Sequence, residues 1–440
     1  MNYLIICTFF PPDSAISAVR PYMLAKHLVK AGNHVTVIRS GAFNAIPDEN
    51  MDDDAGVEVF SFLGENCEAE RFKHGEWTQV AENKPRISRI KGRSRTVLAA
   101  IYHFFKEPFN VASRIKHAKA CFEKQRELLD TLKDRHYDVV FSTYSELENI
   151  FAGEYAAKLF HAKWIMDFRD PIVQHRGYRT AIWNLFTSKT QKHALKTADL
   201  CTSVSEGLTE ELRHYCPGAQ VETLYNGYEE LQQRLENKPE SDVLRICYTG
   251  QIYSYRQKAL EAYANGLSRL VQKGLIDSRK MQFAFAGPAS DTVCDLFQKL
   301  GLSKCLENHG RISRSEAVEL QNGSDVFLVL SWNTKRSKGV LTGKFYEGIR
   351  AEKPILSIVA GDTPDSELKL LNAKFQYGFC YEICSCEPKQ LEDYLLALYT
   401  EKTQQGRIQY EPSVELRKAF RYDYIAGRLQ ELAKALVSES

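Results

Sequence analysis

Short apolar runs recur along the sequence, each followed by a polar loop and a stretch with helical spacing. In the first forty residues, YLIICTFF and HVTVIRSG flank the helical stretch VRPYMLAKHLVKAG, and Gly32 supplies its stop signal. Both runs are apolar on successive residues, as is typical of strands buried on both faces of a parallel sheet. The chain is therefore predicted to open as a β-α-β unit and to belong to the α/β class.

The same alternation continues in two series. The first continues through VEVFSFLG, DVVFST, KWIMDFRD and DLCTSVS, and the second through LRICYTGQIY, MQFAFAGP, DVFLVLSW, PILSIVAG and QYGFCYEI. The polar segment LQQRLENKPESD separates them and is typical of a linker. Two Rossmann-like, doubly wound domains in tandem are the most economical interpretation.

Domain boundaries follow from these series and from the length of 440 residues, which exceeds one core. We predict an N-terminal domain at 1–228 and a C-terminal domain at 229–412. In residues 413–440, Leu429, Leu432 and Leu436 have the spacing of one helix face. That helix is predicted to return to the first domain.

Composition limits the class of protein. The formal net charge of +2 argues against a protein that mainly coats nucleic acid. The sequence has no basic leader and no run of about 20 apolar residues, so we expect a cytoplasmic protein without a membrane span. The eleven cysteines are expected to be reduced, and CYEICSC lacks the C-x-x-C pair of a zinc site. We expect no metal.

Ligands of open parallel sheets collect beyond the carboxyl ends of the strands. The loop FFPPDSAISAVR follows the first strand, and no glycine precedes Gly32, which argues against a dinucleotide site. Ser14 to Ser17 are candidates to contact a sugar or phosphate, and Arg20 to contact an acidic group. An ordinary βα loop remains the alternative.

Charged residues also end the run WIMDFRDP. Asp167, Arg169 and Asp170 follow apolar residues at the end of a predicted strand, where charge is costly unless it is paired or used. A functional site and a structural Asp–Arg pair both explain this pattern.

The segment YTGQIYSYRQKALE opens the second series. Gly250 ends the strand, and Arg256 and Lys258 lie near the start of the next helix. Two cations beside free helix-start N–H groups could hold a diphosphate. Exposed cations with no ligand are the alternative.

The segment GVLTGKFYEGIRAEKPIL, residues 339–356, predicts a loop, a short helix and a buried strand. Thr342 is a suitable N-cap, and Gly343 lets a ligand approach the backbone. Lys344 could contact phosphate, and Glu347 could accept hydrogen bonds from both hydroxyls of a ribose. The alternative is a solvated Lys–Glu face.

Residues 84–95, KPRISRIKGRSR, carry six cations and no acid, and the apolar TVLAAIYHFF follows. Residues 84–105 could therefore lie on an anionic membrane surface. A solvated basic insertion is the alternative.

Taken in order, these motifs resemble the retaining glycosyltransferases of family 4, the group 1 glycosyltransferases, in their surface-polysaccharide branch. The resemblance rests on FFPPDSAISAVRPYMLAKHLVKAGNHVTVI, WIMDFRDP, ADLCTSVSEGLTEEL, YNG, YTGQIY, FAFAGP, GRISRSE, SDVFLVL and GKFYEGIRAEKPIL. It implies the GT-B fold, with two Rossmann-like domains facing across a cleft, of which 1–228 would bind the acceptor and 229–412 the nucleotide-sugar. It also implies retaining transfer from a UDP- or GDP-sugar to a glycan or lipid-linked acceptor, with no cofactor or divalent metal required. The triplet Asp52 to Asp54 is accordingly interpreted as solvated surface.

The sequence departs from the family pattern at three places. Gly339 stands where the family has the first of two glutamates, so we expect backbone N–H groups of the GVLTGK loop to contact the donor sugar. Gln251 stands at an arginine position, and STYSELENIFAG has no counterpart of a family histidine.

The candidate residues divide into two groups. The predicted catalytic residues are Asp170, Arg169, Arg256 and Lys258. The predicted nucleotide-sugar contacts are Gly250, Leu341, Thr342, Gly343, Lys344, Glu347 and Ser17. Two other functions fit the same pattern: a nucleotide-sugar 2-epimerase of similar fold and a non-catalytic nucleotide-sugar-binding protein.

Overall fold

The first of two sheets is built from parallel strands with the connecting helices packed around it. This computed structural model describes residues 1–11, 16–39, 56–61, 93–172, 181–230 and 241–438. The first set of strands is β1 (Asn2–Cys7), β2 (His34–Arg39), β3 (Glu58–Ser61), β4 (Val139–Tyr144), β5 (Lys163–Phe168), β6 (Leu200–Ser203) and β7 (Val221–Thr223). The accompanying helices are α1 (Ile16–Lys30), α2 (Arg93–Thr131), α3 (Glu148–Phe160), α4 (Ala181–Thr197) and α5 (Glu206–Tyr215).

The second set of strands is β8 (Leu244–Thr249), β9 (Met281–Ala286), β10 (Leu306–Asn308), β11 (Val326–Asn333), β12 (Ile355–Gly361) and β13 (Gly378–Glu382). Its helices are α6 (Tyr255–Gln272), α7 (Ser290–Lys299), α8 (Arg314–Asn322), α9 (Gly343–Arg350), α10 (Glu367–Phe375) and α11 (Pro388–Gln405). Two more helices end the chain, α12 (Val414–Ala419) and α13 (Tyr422–Ser438).

Both sheets have the doubly wound strand order. The first runs β3-β2-β1-β4-β5-β6-β7, and the second runs β10-β9-β8-β11-β12-β13. All their strand pairs are parallel, with Tyr3 opposite Val139 in β1 and β4. The predicted α/β class with two Rossmann-like domains is therefore confirmed.

Burial on both faces explains the continuous apolar runs. Every residue of β11 is buried, and β1 is buried from Tyr3 to Cys7. Capping residues set the helix ends: Ser313 and Glu316 form a capping box on α8, and Gly406 with φ 71° ends α11. Each sheet has its own core of aliphatic and aromatic residues.

The chain divides into two compact units that are not continuous in sequence. The first holds the described residues of Met1–Val204 and Leu208–Tyr225 and the chain from Ile425 onward. The second holds Ser205–Gly207 and the described residues of Asn226–Tyr424.

The predicted C-terminal segment 413–440 is divided between these units. Phe420 packs edge-on against Phe345 and Phe375, at ring-centroid distances of 5.3 and 5.8 Å, which keeps this part of the chain with the second unit. Later in α13, the Gln430 side chain donates a 3.2 Å hydrogen bond to Asn33 of the first unit. The return therefore begins within α13 and not at residue 413.

Several predictions lie outside the described residues. These are Ser14, the triplet at 52–54, residues 231–240 of the linker and residues 84–92 of the basic segment. The remainder of segment 84–105 lies in α2, which begins at Arg93. Among the described residues, no helix combines the length and apolar character needed to cross a bilayer.

Candidate functional site

The second sheet reverses its strand order between β8 and β11, which places the loops after these two strands side by side. The Tyr255 ring stacks on Trp332 of β11 at 6.4 Å between centroids with an interplanar angle of 21°. The Arg256 guanidinium lies 5.7 Å from the centroid of the same Trp332 ring. Open α/β sheets bind ligands at this kind of reversal, so it is the candidate site of the second unit.

Gly250 follows β8 at the site and has a φ of 146°, a backbone conformation that residues other than glycine rarely adopt. A Cβ added there would lie 3.1 Å from Cε of Lys344. The residue therefore combines a glycine-type backbone with a close approach to α9. The structure brings together Gly250 and Lys344, which the sequence separates by almost a hundred residues.

The start of α9 supplies backbone donors. Thr342 is its N-cap in an extended conformation, but its hydroxyl makes no capping hydrogen bond. The Thr342 side chain is buried and its oxygen has no hydrogen-bond partner among the described residues. Gly343 and Lys344 follow as the first helical residues, whose N–H groups have no partner within a helix. Leu341, half-buried, immediately precedes the cap.

Lys344 and Glu347 form an ion pair one turn into α9. The Lys344 ammonium donates 2.8 Å hydrogen bonds to both carboxylate oxygens of Glu347, and both side chains are 23% exposed. The pair is therefore partly desolvated, unlike the solvated face considered as an alternative. Its members reach solvent while being held by one another.

A buried glutamine supports the carboxylate from the preceding helix. Gln321, at the end of α8, donates a 2.6 Å hydrogen bond to Glu347 and a 2.8 Å bond to the Thr249 hydroxyl. Arg350 donates a 2.8 Å bond to the Gln321 carbonyl oxygen. Burial lowers the pKa of Arg350, and the nearby Glu347 charge counteracts this effect.

Sequence reasoning missed this supporting group. The one available signal was that Gln321 lies four residues after Ala317, on the face that α8 turns toward the core. A polar residue at such a position needs a partner. The sequence does not reveal which one.

Arg256 and Lys258 lie on the other side of the strand reversal. Arg256 stacks over Tyr253 at 4.9 Å and donates a 3.3 Å hydrogen bond to the Gln251 carbonyl. Lys258 is exposed, with its ammonium 5.6 Å from the centroid of the Tyr255 ring. Both cations are thus held over aromatic rings next to the end of β8.

The loop between β8 and α6, just before Arg256, has a strained backbone. Ser254 adopts φ 50° and ψ −120°, a combination that usually requires glycine. The Tyr248 hydroxyl donates a 2.9 Å bond to the Gln251 carbonyl and so fixes the start of the loop. The position of Arg256 is therefore imposed by its surroundings.

The remaining candidates belong to the first unit. Arg169 donates a 2.8 Å hydrogen bond to the Ser17 carbonyl, so the start of α1 and the end of β5 are adjacent. Asp170 is exposed, and Arg169 is half-buried. The structure thus groups Ser17, Arg169 and Asp170 in one unit and the other candidates in the second.

Asp167 and Arg20 form a buried ion pair beneath this edge. Two guanidinium nitrogens of Arg20 donate bonds of 3.0 and 2.8 Å to the carboxylate, which is fully buried. Burial by itself raises the pKa of Asp167, but Arg20 and the Thr202 hydroxyl hold it below its usual value. Arg20 also donates to the carbonyls of Leu224 and Tyr225. These contacts give the pair a structural role.

The cysteine cluster lies at β13. Cys380 is buried, Cys386 is half-buried and Cys384 is exposed. Burial raises the pKa of the Cys380 thiol to about 12, so it is protonated at neutral pH. Among the residues that the structure describes, no group of His, Cys, Asp and Glu has the arrangement of a metal site.

Comparison with known proteins supports the fold. The sequence matches no protein-family model and no curated protein. It is similar to the structure of Anabaena Alr3699/HepE in complex with UDP and glucose, with a TM-score of 0.58, 11% identity and coverage of 99% of this chain and 100% of that one. The lipopolysaccharide outer core galactosyltransferase WaaB gives a TM-score of 0.52 and 12% identity, covering 100% and 97%.

A third similar structure, from Listeria monocytogenes, is described as a UDP-N-acetylglucosamine 2-epimerase. Its TM-score is 0.50 at 9% identity, with 99% of this chain and 97% of that chain covered. At such identities the similarity shows the fold alone. The protein thus has the GT-B fold of two Rossmann-like domains, and its chemistry must be argued from its own residues.

Proposed function

We propose that the protein is a glycosyltransferase that moves a sugar from a nucleotide-sugar donor to a glycan or lipid-linked acceptor. The observation that carries the proposal is the close approach of Gly250 to Lys344, which is ion-paired with Glu347, at the strand reversal of the second sheet. It puts a close-approach glycine, a helix N-terminus, a cation and a carboxylate in one place. A nucleoside diphosphate needs these groups.

The diphosphate is assigned to the start of α9. Backbone N–H groups of Gly343 and Lys344 would donate to its oxygens, and the orphaned Thr342 hydroxyl is an additional donor. Lys344 would exchange Glu347 for a phosphate oxygen. Leu341 N–H and the rest of the GVLTGK loop would lie against the donor sugar.

Negative charge grows on the diphosphate as its bond to the anomeric carbon breaks. Lys344, Arg256 and Lys258 are the cations proposed to stabilise that charge. Because the ring contacts and the strained loop fix Arg256, little reorganisation is needed during the reaction. These three cations are the reason to propose catalysis without an obligatory divalent cation or other cofactor.

Glu347 is proposed to accept hydrogen bonds from the two ribose hydroxyls. Its carboxylate is partly exposed and lies one turn along α9 from Lys344, so diphosphate and ribose could be held by adjacent turns of one helix. The structure of HepE in complex with UDP and glucose supports a UDP-sugar as the first choice of donor.

Asp170, Arg169 and Ser17 of the first unit are proposed to serve the acceptor. As a predicted catalytic residue, the exposed Asp170 is proposed to accept a hydrogen bond from the acceptor hydroxyl. Retention of the anomeric configuration and a role in cell-surface polysaccharide synthesis are part of the proposal. So is peripheral attachment at the inner face of a membrane through residues 84–105.

The 2-epimerase is the second candidate, because the Listeria structure of similar fold carries that description. An epimerase converts the nucleotide-sugar without needing an acceptor. If free nucleoside diphosphate accumulates only when acceptor is added, the epimerase function is excluded.

The proposal is tested in two steps. Thermal unfolding is first measured with UDP-, GDP- and ADP-sugars, because a ligand of the folded state raises the melting temperature. The stabilising donor is then incubated with candidate glycan and lipid-linked acceptors, and the anomeric configuration of the product is read by NMR. The proposal would be ruled out if none of these nucleotide-sugars raised the melting temperature and none gave a transfer product.

A further inference from the structure

Gln321 lies directly behind the proposed ribose-binding carboxylate. Its side chain is buried, with 2% of the residue exposed, and its amide nitrogen lies 2.6 Å from Oε2 of Glu347. The same nitrogen lies 2.8 Å from the Thr249 hydroxyl at the end of β8. Both hydrogens of the amide are therefore used, one on the carboxylate and one on the sheet.

Arg350 fixes the orientation of that amide. Its guanidinium donates a 2.8 Å hydrogen bond to Oε1 of Gln321. Since a guanidinium can only donate, the carbonyl end of the amide must face Arg350 and the NH₂ end must face Glu347. The two ends of Gln321 cannot exchange without losing bonds at both.

The hydrogen bonds of Glu347 then divide into a permanent and an exchangeable set. A carboxylate can accept about four hydrogen bonds. Gln321 donates one of these bonds, to Oε2, and Lys344 donates to both oxygens. Lys344 is the residue that is proposed to move to the diphosphate. The Gln321 bond remains after that exchange, and the free lone pairs point away from it.

We propose that Gln321 is a positioning residue that aims the Glu347 carboxylate at the two ribose hydroxyls and so makes the site select ribonucleotide over 2′-deoxyribonucleotide donors. The inference rests on the proposed function, because it presumes that Glu347 meets the ribose. Gln321 itself touches no substrate. Its effect passes entirely through the carboxylate it holds.

The test compares the affinities of UDP, GDP and ADP with those of their 2′-deoxy forms by calorimetric titration. Two variants remove the donor to Glu347: Gln321→Met, which has similar volume, and Gln321→Glu, which can still accept from Arg350. Gln191→Met is the matched control, because Gln191 is also a buried glutamine but accepts from the Ile172 N–H in the first unit. Melting temperatures establish that each variant is folded.

The wild-type protein should bind the ribonucleotide more tightly than its 2′-deoxy form. Because Gln321 orients the carboxylate without contacting the ribose, both Gln321 variants should reduce this preference by about 3-fold to 10-fold, less than the loss of a direct hydrogen bond to a charged group. The Gln191 variant should keep the wild-type preference for the ribonucleotide, even if its melting temperature is lower. A purely structural role would lower the melting temperature without changing the ratio.

The possible failures are distinguishable. Equal ribose preference in the wild type and both Gln321 variants would overturn the positioning role while leaving the proposed function intact. A wild type that binds both forms equally would also overturn it, since Glu347 would then not meet the ribose. Absence of all nucleotide binding would remove the proposed function and the inference together.

Discussion

The Lys344 ammonium donates to both carboxylate oxygens of Glu347 at 2.8 Å, within a single turn of α9. Each residue therefore neutralises the charge that the other would offer a ligand. If a nucleotide-sugar binds here, both charges must be used elsewhere at once. The two proposed contacts, with phosphate and with ribose, are coupled.

Glu347→Ala is expected to reduce turnover at least about tenfold, equivalent to about 1.4 kcal/mol of transition-state stabilisation. The variant loses the ribose contact and frees Lys344 to move. Initial rates at several donor concentrations provide the measurement. Glu319→Ala is the control, because Glu319 is an exposed acid of α8. Wild-type kcat/KM in the Glu347 variant would reject the donor-site assignment.

Arg256→Ala should also lower turnover by about tenfold or more, because a fixed cation that stabilises the leaving diphosphate would be lost. Arg279→Ala is the control. Arg279 is a cation of the same unit, is 81% exposed and pairs with Asp277. It lies just before β9, at the amino ends of the strands and away from the candidate site. Single-turnover rates should separate the two variants. If both retain the wild-type rate, Arg256 has no part in the chemistry.

Gly250→Ala should weaken donor binding because the new Cβ would lie 3.1 Å from Lys344 Cε and because φ 146° disfavours alanine. Gly274→Ala is the matched control: Gly274 has φ 70°, and a Cβ there would meet nothing within 4 Å. Each change should lower the free energy of unfolding by about 1–3 kcal/mol through backbone strain.

Titration of each folded variant with the stabilising donor separates strain from the site. Only the Gly250 variant should show a higher dissociation constant for the donor. Equal affinities in the two variants would mean that the approach of Gly250 to Lys344 has no bearing on the ligand.

Asp167→Asn should destabilise the protein by about 3–5 kcal/mol at pH 7, because it leaves the Arg20 charge buried without its partner. Asp393→Asn removes a surface pair with Lys389 and should change stability little. Denaturant unfolding at fixed temperature measures both. A near-neutral Asp167 variant would show that the buried pair is dispensable.

The same pair predicts a pH dependence. The pKa of Asp167 is lower in the folded chain than in the unfolded one, so its contribution to stability is complete above the unfolded value of about 3.9 and is lost as the pH falls through the folded value. Unfolding free energies measured from pH 6 down to pH 3 should decline more steeply in the wild type than in Asp167→Asn. Parallel curves would contradict a depressed pKa.

Apolar alternation predicted most of the fold, because strands buried on both faces leave continuous runs that few other structures require. The strands β2, β8, β9 and β12 fall within runs identified from the sequence, and β1 and β11 each exceed their run by one residue. The 39-residue helix α2 was not predicted in full, since its start follows a polar basic segment and lacks a clear apolar stripe. The helix α10 was also missed.

The candidate site was only partly accessible from the sequence. Glycines, helix starts and strand ends identify backbone features, so Gly250 and the start of α9 could be selected. The roles of these residues stay predictions. Side-chain partners across the fold, such as Gln321 for Glu347 and Arg20 for Asp167, depend on packing between elements that are distant in the chain. Local patterns do not encode such pairs.

The two ends of the chain share one unit, where Gln430 of α13 bonds to Asn33, 397 residues earlier. During translation, the amino-terminal half therefore emerges first but lacks α13 until the second unit has been synthesised. The second unit, continuous from Asn226 to Tyr424 except for a three-residue contribution, can acquire its sheet before that helix arrives. Nascent chains stalled before Ile425 would then expose the apolar surface that α13 covers and would be the species most in need of a chaperone.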